Sequence, residues 1–226
     1  MTPAMTPASI PRITPETVEA LFTRGDGSFR FARWGRPLAP VVFGTEDASL
    51  DPIKDALRAT AALGDLPVAE TDPEFGANLL IFFVRDWAEL AGVPNLDRLL
   101  PDLAPLLERL RRARANQYRS FRFDADGAIS LCTILLRMDA ALAALPAQTL
   151  ASGQMVQSML LWSDTAFATE SPLATVTGSG HTAARPDIAA LIRAAYDPVL
   201  PAASTEPAHA HRLAARAGLL LGRPGG

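Results

Sequence analysis

The segment Asn78-Leu79-Leu80-Ile81-Phe82-Phe83-Val84 has no polar side chain from position 79 to 84. A strand points successive side chains to opposite faces, so a run without a polar face needs cover on both sides. This requirement makes 78–84 a central strand and puts helices on both faces of its sheet. A second run, Ile129-Ser130-Leu131-Cys132-Thr133-Ile134-Leu135-Leu136, has the same character and makes Cys132 a small buried hydrophobe. The chain can supply the cover, because 49% of its 226 residues are apolar and 20% charged, an ordinary globular composition.

Further strands follow from alternation and turn chemistry. Tyr118 to Phe123 and Ala128 to Met138 flank Asp124-Ala125-Asp126-Gly127, which reads as a hairpin. Phe29-Arg30-Phe31-Ala32-Arg33-Trp34 alternates as a half-buried strand does, and Val41-Val42-Phe43 and Leu66 to Glu70 read as short strands. Helices are expected where apolar residues recur at helical spacing. The first begins at Thr14-Pro15, an N-cap followed by proline in the first turn, and carries Val18, Leu21 and Phe22. The second opens at Asp51-Pro52 with Ile53, Leu57 and Ala61 in one stripe. A third covers 95–115 and is broken or bent by Pro101 and Pro105. Others run over 146–162, from Pro186 to Tyr196-Asp197-Pro198, and over 206–221. The expected fold is α+β: one domain over 14–221, with a mixed sheet of about five strands packed by helices. Flexible tails are expected at 1–13 and 222–226.

Charge and cysteine usage exclude several functions. A net charge of −3 and a pI near 5.6 do not steer the chain toward nucleic acid or an anionic membrane surface. The basic run Arg109-Leu110-Arg111-Arg112-Ala113-Arg114 reads as a solvated helix C-terminus, where the helix dipole favours positive charge. One cysteine allows neither an internal disulfide nor a multi-cysteine zinc site. No apolar stretch approaches the roughly 20 residues a membrane span needs. The first residues lack the basic start and apolar stretch of an export signal, which on sequence alone suggests the cytoplasm.

Candidate reactive groups are few. His181, His209 and His211 are the only histidines; the latter two point to different sides of a helix and read as surface residues. Thr177-Gly178-Ser179-Gly180-His181 is neither a P-loop nor a nucleophile elbow, and reads as part of a mobile loop over 163–185. The carboxylate pairs Asp124/Asp126 and Glu46/Asp47 fall in turns. Trp34, Trp87 and Trp162 read as core residues or as interface anchors of a larger assembly. The helix ending near Trp162 is the most informative segment. Met155, Val156, Met159 and Leu160 form its apolar stripe, and Gln154 and Gln157 lie one turn apart on another side, exposed or hydrogen-bonded.

Three stretches together resemble a bacterial family of unknown function whose members are described as secreted proteins or lipoproteins. They are Phe31-Ala32-Arg33-Trp34 with the strand at Val41, the helical run Gly153-Gln154-Met155-Val156-Gln157-Ser158-Met159-Leu160-Leu161-Trp162-Ser163-Asp164, and Asp187 to Leu200 with its Tyr196-Asp197-Pro198. The likeness spans about residues 30–203 and implies a cell-envelope location. The helical run also resembles a worn zincin helix, in which His-Glu-x-x-His grips Zn²⁺ and supplies a general base. The two histidine positions fall on Gly153 and Gln157, the glutamate on Gln154 and a third histidine on Ser163. Glycine offers no donor and a carboxamide is a poor zinc ligand and no base, so the resemblance implies the zincin-like fold without its metal or activity. The expectation is a non-catalytic protein, without a cofactor, that binds an unknown protein or small-molecule ligand in a groove formed by Gln154, Gln157, Asp164 and His181. The alternative is a peptidase- or esterase-type hydrolase using His181 with Asp164 or Ser163.

Overall fold

The computed structural model describes residues 13–46, 50–176 and 182–222. The tails beyond these bounds, Asp47 and the stretch Thr177 to His181 lie outside the described residues. In chain order the first half contains α1 (Pro15–Phe22), β1 (Phe31–Ala32), β2 (Pro40–Phe43), α2 (Leu50–Ala61), β3 (Leu79–Val84), α3 (Leu96–Leu99), α4 (Leu103–Arg112) and β4 (Gln117–Phe123). The second contains β5 (Ile129–Arg137), α5 (Ala140–Ala143), α6 (Ala147–Ser158), β6 (Leu173–Thr175), β7 (Thr182–Ala184), α7 (Pro186–Ala195), β8 (Ala203–Ser204) and α8 (Ala208–Leu221).

The main sheet has the order β2-β3-β5-β4, so the double-sided apolar strand is internal, as its sequence demands. β2, β3 and β5 run parallel, and β4 closes one edge antiparallel to β5. On one face Leu80, Phe82, Val84 and Leu135 meet α3, α4 and Trp87. On the other, Leu79, Ile81, Cys132, Ile134 and Leu136 are covered by Ile53, Ala56 and Leu57 of α2 and by Leu150, Ala151 and Met155 of α6. A third core joins α1, α7 and α8 around Phe22, Phe29, Phe31 and Trp162.

The sheet has four strands where about five were expected, because two short segments with strand character pair elsewhere. Phe31 and Ala32 form a two-residue ribbon with β8, and Leu66 to Glu70 contributes only a bridge from Val68 to Leu38. The helix expected over 95–115 breaks at Pro101, but Pro105 stays inside the first turn of α4, where its missing N–H costs nothing. The helix expected to reach Trp162 ends at Ser158, since Arg33 pairs with Leu160, and Leu161 N–H donates to the Ala32 carbonyl. The loop over 163–185 contains the β6–β7 ribbon.

Tyr196-Asp197 ties these parts together. The Tyr196 hydroxyl donates to the Met159 carbonyl at 2.9 Å, and Asp197 pairs with Arg216 of α8. The Tyr196 ring lies against Gly64, where a Cβ would come within 2.6 Å of it. Trp34, Trp87 and Trp162 are all buried, so the tryptophans belong to the core. No described helix is long and apolar enough to cross a membrane.

Candidate functional site

β4 and β5 are joined by their hairpin, and their register shifts by one residue between Arg122 and Phe123. Asp124 Oδ1 accepts from the Asp126 and Ala128 N–H groups, and Gly127 supplies the positive φ of 81° that the turn needs. The register sets Arg119 opposite Ile134 and Gln117 opposite Leu136. Both side chains therefore project to the face covered by α6, as do Phe121 and Phe123. The amide carbonyls of α6 meet them there. Gln154 Oε1 accepts from Arg119 at 2.6 Å, Gln157 Oε1 accepts from Arg119 at 3.3 Å, and Gln154 Nε2 donates to Gln117 Oε1 at 3.0 Å. Gln154 is buried with 5% of its surface exposed, so of the two readings for the glutamines the hydrogen-bonded one holds.

The Arg119 guanidinium carries five N–H groups. Two of them go to the glutamine oxygens, and its buried Nε has no partner among the described residues. No described carboxylate forms an ion pair with it. Burial lowers its pKa, because desolvation disfavours the charged form. Beneath it, Cys132 is fully buried and its thiol is pushed up to about 12 by desolvation, which makes it unreactive.

A cleft of about 650 Å³ opens between β4 and the chain that follows α6. Arg119, Gln157, Phe121 and Phe123 form one wall; Arg24, Trp162, Asp164 and Phe167 form the other. The second wall is anchored from below. Trp162 stacks on Phe22 at 5.4 Å, and the Ser163 N–H donates to the Leu21 carbonyl at 2.7 Å. Arg24 donates to the Trp162 carbonyl at 2.9 Å and lies 3.4 Å from Asp164, whose side chain is 82% exposed. Arg30 also reaches the cleft and rests 4.4 Å from the Phe123 ring centre. Three arginines thus face a single exposed carboxylate.

The edge of β4 supplies a second set of groups. The Arg137 N–H donates to the Asn116 carbonyl, so residues 118 and 120 carry the bonds to β5. The N–H and C=O groups of Gln117, Arg119 and Phe121 point away from β5, and no described residue takes them up.

Of the four residues expected to share a groove, Gln154 and Gln157 come together on Arg119, and Asp164 lies on the facing wall; His181 lies outside the described residues. The positions that would hold zinc do not fit it. Gly153 has no donor, and the oxygens of Gln154 and Gln157 are turned to a guanidinium, which would repel a cation. Ser163 Oγ sits 3.4 Å from the Ala20 carbonyl and 3.4 Å from Thr165 Oγ1. One residue was missed and one expectation needs correction. Arg119, at the centre of the candidate site, was not anticipated; its signal was an arginine in alternation with Phe121 and Phe123 along one strand. His209 is not a surface residue: it is fully buried, 4.4 Å from the Phe31 ring. His211 is exposed. Comparison of the chain with protein-family models, with curated proteins and with solved structures found no match.

Proposed function

We propose that this chain is a non-catalytic binding protein that takes an extended protein segment into the cleft between β4 and the chain following the helix that carries Gln154 and Gln157. The observation that carries this reading is the Gln154–Arg119–Gln157 constellation: the α6 face that would serve chemistry is committed to holding an arginine in place. The open side of β4 offers unpaired backbone groups at Gln117, Arg119 and Phe121, which suits addition of a strand. The order of an antiparallel edge strand, a return strand and then the glutamine helix supports a zincin-like scaffold. Asp164 engaged by Arg24, and Ser163 facing a carbonyl and a second hydroxyl, give no support to the hydrolase alternative.

The test is retention of a randomised nonapeptide pool on the immobilised full chain, followed by mass spectrometry of the pool. The expected result is retained, uncleaved peptide, with retention lost in the Gln154→Ala, Gln157→Ala double variant. Retention indifferent to the double substitution, or cleavage of the pool, would overturn the reading.

A further inference from the structure

Resting on that reading, the geometry points to a carboxylate as the group recognised: the bound segment carries an aspartate or glutamate side chain that pairs with Arg119 at the centre of the cleft. Several half-buried arginines elsewhere in the molecule meet their own carboxylates. Arg36 faces Asp72 and Glu74, Arg185 faces Asp187 and Glu170, and Arg216 faces Asp197. Arg33 and Arg122 have none, but Arg33 is covered by the Tyr196 ring, Arg122 donates to the Arg98 and Leu99 carbonyls, and neither lines the cleft. Arg119 differs in opening on the cleft while having no described carboxylate partner.

The choice of orienting groups decides what this arginine can do. A glutamate at 154 or 157 would both aim and neutralise the guanidinium; a glutamine aims it and leaves the charge uncompensated. Gln154 is itself fixed by the Gln117 amide, so the fork is set before any ligand arrives. A planar carboxylate matches the fork of a guanidinium through parallel N–H···O bonds. Its negative charge also offsets the desolvation that the half-buried Arg119 bears without a carboxylate partner. Arg24 and Arg30 on the same cleft add attraction of the same sign, with Asp164 alone opposing them. The carboxylate belongs to a peptide because Arg119 lies on the edge strand itself, between Gln117 and Phe121, whose outward backbone groups are those an added strand would bond.

The experiment uses nonapeptide pools capped at both ends, random except for a central residue fixed as glutamate, aspartate, glutamine, asparagine or phosphoserine. Each pool is passed over the full chain at about 50 mM and 300 mM salt. The acidic pools should be retained about tenfold more than their amides, the size of one charge-assisted pair. The preference should shrink at high salt and vanish in Arg119→Met. Arg119→Lys, which keeps the charge without the fork, should recover part of it, and the salt response of the wild type needs no variant to fold. Equal retention of acid and amide pools would overturn the carboxylate assignment and leave peptide binding standing. Preference for the phosphoserine pool would overturn it in favour of phosphate. No retention of any pool would overturn both readings.

Discussion

His209 should make this protein acid-sensitive between pH 6.5 and 4. It sits in the first turn of α8 with no exposed surface, and neither ring nitrogen has a hydrogen-bond partner. Desolvation, reinforced by the nearby Arg212 charge, lowers its pKa from 6.5 to about 4. Above pH 6.5 the imidazole is neutral in the folded and unfolded chains and contributes no pH dependence. Between 6.5 and 4 the unfolded chain takes up a proton that the folded chain refuses, so stability falls as pH falls. Below 4 both states are protonated and the loss levels off. Each tenfold drop in proton affinity on folding is worth about 1.4 kcal/mol, so the full loss is about 3 kcal/mol. Carboxylates also titrate here, so the measurement is a difference: urea unfolding of the wild type and of His209→Leu from pH 7.5 to 3.5. Leucine fills a similar space and removes two unpartnered nitrogens, so the variant should be at least as stable near pH 7.5. Its advantage should grow by about 3 kcal/mol toward pH 4. Parallel pH profiles for the two proteins, or a His209 resonance titrating near 6.5 in the folded protein, would refute the reasoning.

Three further outcomes follow from the packing. Gly64→Ala places a methyl 2.6 Å from a Tyr196 ring pinned by its hydroxyl, so urea unfolding should show a loss of about 1–3 kcal/mol; Gly25→Ala, with open space around it, should not show this steric loss. Asn78→Ala strips the buried partners of the Ala39 N–H, the Pro37 carbonyl and Asp72 Oδ2, and should cost about 2–3 kcal/mol in the same assay. Cys132 should resist a thiol reagent at pH 8 in the folded protein and react with one equivalent in denaturant; rapid native labelling would contradict its burial.

Periodicity and turn chemistry carry most of the secondary structure. The all-apolar run at 79–84 demands an internal strand because backbone alternation gives it no face to leave in water. Asp124 to Gly127 demands a tight turn, but the β4–β5 register at Arg119 also depends on the one-residue shift between Arg122 and Phe123. The identities of Gly153, Gln154 and Gln157 likewise dictate that a zincin-type metal grip is chemically out of reach, whatever lies around them.

Tertiary structure decided the rest. Nothing local distinguishes Phe29 to Trp34 from a sheet strand; its partners include Leu160, Ser204 and Ile129, all distant in the chain. The helix ends at Ser158 rather than Trp162 because that distant backbone competes for its next groups. His209 shares the α8 stripe with Leu213 and Ala217, a pattern present in the chain, yet only the packing of α1, α7 and Phe31 around α8 closes water off from the ring. The same holds for Arg119. Its residue type says that it carries a charge, but whether that charge is neutralised depends on which side chains lie opposite, and across β4 these are two glutamines some 35 to 38 positions away.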